Sequence, residues 1–169
     1  MKIITRYVLM VFFVFLTACS PEYDWRSVNI ADGHITAVFP AKPVSQTREV
    51  VLDNEKLPFT MEIASVGNRV FAVGYSILPA DLAPDPARLE KKGRALMASV
   101  YHTMGEAMPE PAPAFGEIIR FTKGANGSDF NVHVKILAAN GLVAQVYVAL
   151  NDPVAEEQVR QFLDGVKIQ

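Results

Sequence analysis

The sequence predicts an α+β fold: a largely antiparallel sheet of about seven strands covered by two helices. Three observations lead there. Apolar residues alternate with period two in one segment after another, joined by short turn signals such as Gly67-Asn68 and Asn140-Gly141. Only two segments carry helical spacing, and each is opened by an Asp-Pro pair. The 169 residues are 50% apolar and 20% charged, with 11 Pro and 10 Gly, which fits one turn-rich globular domain and excludes a disordered or fibrous chain.

Taken in order, Ile35-Thr36-Ala37-Val38-Phe39 reads as a short strand stopped by Pro40, and Pro40 and Pro43 bracket a turn. Thr47 to Leu52 reads as the next strand. From Pro58 to Val66, Phe59, Met61 and Ile63 alternate with Thr60, Glu62 and Ala64. Arg69 to Leu78 follows across Gly67-Asn68, with Val70, Ala72, Gly74 and Ser76 on one face and Phe71, Val73, Tyr75 and Ile77 on the other. Asp85 and Pro86 then open a helix as cap and first helical residue. Leu89, Gly93, Leu96, Met97, Val100, Tyr101 and Met104 form its apolar stripe, and Gly105 stops it. Arg88, Lys91, Lys92 and Arg94 lie off that stripe and are expected in water, a solvated face rather than a docking patch.

Pro109, Pro111 and Pro113 exclude helix and demand a stiff extended connection. Phe115 to Thr122, Phe130 to Ile136 and Leu142 to Leu150 complete the strands, with Gly124-Ala125-Asn126-Gly127 as a loop. If the hairpin turn holds only Asn140 and Gly141, Val134 stands opposite Tyr147 and His133 opposite Val148. Asp152-Pro153 opens the second helix. Val154, Val159, Phe162 and Leu163 are its stripe, Gly165 its end, and Val166-Lys167-Ile168 a last short strand.

The N-terminus carries the most specific signal. Lys2 and Arg6 precede the apolar run Tyr7 to Leu16, which is too short to span a bilayer and fits the core of a secretory signal peptide. Leu16-Thr17-Ala18-Cys19 follows and resembles the lipobox of bacterial lipoproteins. Cys19 is the only cysteine, so no intrachain disulfide and no multi-cysteine metal cluster is available. The expectation is cleavage before Cys19 and acylation of its thiol: residues 1–18 as signal peptide, 19–26 as a short lipidated tether, and 27–169 as a single domain. Loss of Lys2 and Arg6 leaves 14 basic against 18 acidic residues, a formal −4. Such a balance excludes attachment to anionic membranes or nucleic acid by charge, so the acyl chains are the membrane contact. Ser20 rather than Asp follows the cysteine. By resemblance to lipoproteins this implies an outer-membrane anchor with the domain in the periplasm.

The whole pattern resembles the PsbP-like family. The carrying residues are Trp25-Arg26, the turn Phe39-Pro40-Ala41-Lys42-Pro43, the hairpins around one long helix, and the closing Phe162-Leu163-Asp164-Gly165-Val166-Lys167-Ile168. In particular the chain is similar to bacterial envelope lipoproteins of the DcrB type. The likeness covers Trp25 to Gln169 and implies an α/β/α sandwich serving as a binding or assembly factor rather than an enzyme. It carries over no catalytic residue.

The residues themselves point the same way. His34, His102 and His133 lie on different elements without metal-ligand spacing, so no metal or other cofactor is expected. No Ser sits in a nucleophile elbow, and the glycines near residue 124 do not open a helix. Asn126-Gly127-Ser128 matches a glycosylation sequon that a bacterial lipoprotein leaves unused. The expectation is a monomeric, non-catalytic module with an envelope protein as partner. The competing expectation is an envelope hydrolase, which requires titratable residues converging in a cleft.

Overall fold

The computed structural model describes residues 22–79, 85–125, 128–151 and 156–169. The signal segment, Cys19, the Asp152-Pro153 opening with Val154, and the sequon residues Asn126 and Gly127 lie outside the described residues.

Strand β1 (Arg26–Ile30) turns through Ala31, Asp32 and Gly33, all at positive φ, into β2 (Ile35–Phe39). Strands β3 (Val44–Leu52), β4 (Glu55–Val66) and β5 (Arg69–Ile77) form one meander. Helix α1 (Pro86–Met104) crosses to a second meander, β6 (Ile118–Ala125), β7 (Ser128–Ala139) and β8 (Leu142–Leu150). Helix α2 (Glu156–Gly165) and β9 (Lys167–Ile168) close the chain. The two meanders join through β5 and β8 into a six-stranded sheet of order β3-β4-β5-β8-β7-β6, while β1, β2 and β9 make a separate three-stranded sheet. Every pairing among the described residues is antiparallel.

The chain is therefore α+β with two helices among its described residues, but the single sheet of about seven strands is corrected to two sheets. Pro40 and Pro43 interrupt the chain between β2 and β3, so β2 does not continue the large sheet. It pairs instead with β9, Ile35 opposite Ile168. Strand β1 starts at Arg26, the last residue of the expected tether, and adds a strand that the sequence pattern did not mark. Tyr23 stacks on Trp25, and both rings meet Phe71, so this part of the 19–26 segment is packed against the domain. Phe115 and Gly116 are also not strand. Gly116 turns at φ 86 and its N–H donates to the Ile136 carbonyl, so β6 starts at Ile118.

The six-stranded sheet buries both faces. One face packs Phe71, Val73, Val146 and Val148 against Phe39 of β2 and Phe162 of α2. The other packs Val132, Val134 and Ile136 against Leu96, Met97, Val100 and Tyr101 of α1. The Asp85 carboxylate caps the N–H groups of Ala87 and Arg88, and Gly105 at φ 78 ends the helix with its N–H returned to the His102 carbonyl. The hairpin register set by Asn140-Gly141 is the predicted one, Val134 opposite Tyr147 and His133 opposite Val148.

Candidate functional site

Helix α1 lies over β7 and β8, and two residues fix it there. A Cβ on Gly93 would stand 2.7 Å from the Phe115 ring and 3.1 Å from Ala138, so glycine lets the helix approach β7 closely. Its neighbour Lys92 reaches the other way. The ammonium donates to the Leu52 carbonyl at 2.8 Å and the Asp53 carbonyl at 3.2 Å, and pairs with Glu55 at 2.8 Å. Lys92 is 2% exposed, which corrects the expectation that it stands in water with Lys91. At a helical position whose neighbours are buried, its aliphatic stem packs inward and its head meets the carbonyls of the β3–β4 turn, where Asp53 and Asn54 both hold positive φ.

Beyond this clamp the helix and the edge hairpin enclose a groove of about 470 Å³. Val50 and Leu52 of β3, Phe59 and Met61 of β4, and Leu96 and Val100 of α1 give it apolar walls, with Tyr147 of β8 in its floor. Arg48, Thr103 and Met104 stand at the other end. From Leu96 to Met104 the helix advances about 12 Å, and Leu52 to Arg48 spans about 13 Å of strand. The groove is thus a slot that runs from Leu52, which Lys92 ties to the helix, to Arg48 at the other end. Burial keeps the Tyr147 phenol above its ordinary pKa, so it is a neutral hydroxyl there.

Gly74 deepens the slot. A Cβ at this position would fall 2.4 Å from the Met61 sulfur and 2.4 Å from the Phe59 ring. Gly74→Ala is therefore expected to cost roughly 1–3 kcal/mol by overpacking and to push both side chains into the groove. Denaturant unfolding checks the cost; a variant as stable as the parent would show that the two side chains yield freely.

A second, polar cleft lies on the opposite face of the sheet. Arg120 and Thr122 of β6, Asn131 and His133 of β7, and Glu156 and Val159 of α2 line about 250 Å³, adjoined by about 320 Å³ that Arg160 also lines. Burial first and the Arg120 charge second hold His133 below the usual imidazole range, against the pull of Glu156. A folded pKa below the unfolded value means the unfolded chain binds the proton more readily. Stability contributed by neutral His133 is present above about pH 6.5 and is lost as pH falls through the lower folded value. Urea midpoints measured from pH 7.5 to 5 should fall more steeply for the parent than for His133→Asn; equal slopes would contradict this. Thr122 is the one hydroxyl side chain of this cleft's lining, and it faces Asn131. His133 therefore has no serine or cysteine to activate among these residues.

The remaining candidates disperse. His34 ends the β1–β2 turn and His102 is exposed on α1. Among the described residues no three His, Cys, Asp or Glu converge as metal ligands. The basic face of α1 is partly consumed by internal contacts. Arg88 pairs with Asp85, and Arg94 donates to the Pro113 carbonyl at 2.7 Å while its guanidinium sits 4.6 Å over the Phe115 ring. The triple-proline segment is thereby strapped to the helix. The sequence places Lys92 on a solvated face and singles out no residue of the groove as a binding residue; the one available signal is the polar, poorly alternating sequence of β3. No helix among the described residues is long and apolar enough to cross a membrane. No family model, curated protein or solved structure matches this chain.

Proposed function

We propose that the chain is an envelope lipoprotein of the PsbP-like kind, anchored through Cys19 in the outer membrane, whose periplasmic domain is a non-catalytic binding or assembly module. The observation that carries the reading is the slot between α1 and the β3–β4 hairpin: apolar walls, one cation at one end, and a neutral phenol as the only other titratable group in its lining. Such a lining recognises a partner and offers no acid–base pair. The hydrolase alternative draws on the His133 cleft, where an imidazole and Glu156 share a cavity whose one hydroxyl, Thr122, is turned to Asn131.

A photoreactive residue at Ser99 on the rim, with one at Glu157 on α2 as control, tests the reading in intact envelopes. A discrete adduct from Ser99 alone is expected; equal labelling from both positions would sink it. The anchor has its own test. Cys19→Ala should abolish incorporation of labelled palmitate and leave uncleaved precursor, whereas normal processing would show that an ordinary signal peptidase acts.

A further inference from the structure

Strand β3 is an edge of the six-stranded sheet, and among the described residues nothing pairs with its outer side. It also carries the two most exposed large apolar side chains of the described residues, Val44 at 63% and Val51 at 61%. Long open edges of this kind are normally blunted. The direction of its main chain follows from the hairpin. Leu52 and Glu55 flank the two-residue turn and exchange hydrogen bonds, so the hydrogen-bonded pairs recur at every second residue, through Val50 and Leu57 to Arg48 and Phe59. Pro58 agrees: it lacks an N–H and stands opposite Glu49, in the other set. Ser45, Thr47, Glu49 and Val51 therefore turn their N–H and C=O groups outward. On the groove face the same strand presents Arg48, for which no carboxylate partner occurs among the described residues.

We propose that β3 receives an extended segment of a partner protein as a seventh, antiparallel strand, with an apolar side chain opposite Val50 over the slot and an acidic one opposite Arg48. This rests on the binding-module reading and names its partner. Charge complementarity sets the sequence: an apolar residue, then a basic one to face Glu49 on the other side of the sheet, then an acidic one to face Arg48. A second copy of this chain is disfavoured, because the two-fold register with greatest overlap sets Arg48 directly against its own copy.

The probe is the labelled peptide acetyl-Thr-Val-Leu-Lys-Glu-Thr-Val-Thr-amide, titrated against the full-length protein and read by fluorescence anisotropy. Three controls accompany it: a peptide with Lys and Glu exchanged, one N-methylated at the Lys and at the Thr after Glu, and the variant Thr47→Pro, which removes an outward N–H without touching the β3–β4 ladder. The exchanged peptide should bind about tenfold more weakly, and Arg48→Glu combined with Glu49→Lys should reverse the preference. N-methylation and Thr47→Pro should each abolish binding. No binding of the parent peptide, or binding indifferent to charge order and N-methylation, overturns the proposal. A concentration-dependent dimer lost in Thr47→Pro overturns it in favour of self-pairing. Adducts from Ser99 that persist when the peptide fails would leave the binding module standing and remove only the added strand.

Discussion

Phe162→Ala should destabilise the protein by about 3–5 kcal/mol, the range for removing a fully buried aromatic ring. Phe162 has no exposed surface. Its ring lies 5.4 Å from Phe39 on the three-stranded sheet and 5.3 Å from Phe71 on the six-stranded sheet. One α2 side chain thus joins both sheets, and Trp25 reaches the same cluster through Phe71 at 6.2 Å. Truncation opens a cavity between layers that three rigid rings cannot close, so relaxation recovers little. In a chain of this size each kcal/mol lowers the thermal midpoint by roughly 2–4 °C. Leu96→Ala is the informative comparison. Leu96 is also buried, but it lines the slot, so it stands at the low end of the leucine range, about 2 kcal/mol. Equal losses for the two variants would mean that the joint between the sheets is no more tightly packed than the groove wall.

Local chemistry was legible in the sequence where a single turn or cap decides it. Asn140-Gly141 fixed the β7–β8 register to the residue, and Asp85, Pro86 and Gly105 marked both ends of α1. The stripe was legible as well, with Leu96, Met97 and Val100 buried and Leu89 and Met104 half-buried. What could not be read is non-local. Pairing of β2 with β9 joins opposite ends of the domain, and nothing in Lys167-Ile168 specifies its neighbour. Strand β1 alternates Ser27 and Asn29 with Val28 and Ile30 over only five residues, a pattern as compatible with a polar tether as with an edge hairpin. Asp53-Asn54 makes a two-residue turn with both residues at positive φ, where the more familiar signal has glycine second. The groove follows from that omission. Only when β3 and β4 are seen as one long hairpin reaching Lys92 does the space left between them and α1 become visible.

Lys92→Met is expected to cost about 2–4 kcal/mol, within the range for deleting one partner of a buried charged network. Methionine keeps most of the aliphatic stem, so the loss reports the ammonium rather than the packing. That ammonium satisfies two carbonyls of the β3–β4 turn and faces Glu55 and, at 3.8 Å, Asp53. Both carboxylates are about half exposed and regain water when the lysine is lost, which keeps the cost below that of a wholly buried pair. For the same reason Glu55→Gln should cost less than about 1 kcal/mol, and Lys91→Met should stay within about 0.5 kcal/mol of the parent. The damage should also be local. Hydrogen exchange at the amides of Leu52 and Glu55 should accelerate in Lys92→Met while the β5–β8 amides keep their protection relative to global stability, because the clamp holds the hairpin tip and not the central strands. A Lys92→Met variant as stable as Lys91→Met would show that the helix does not hold the hairpin through this ammonium.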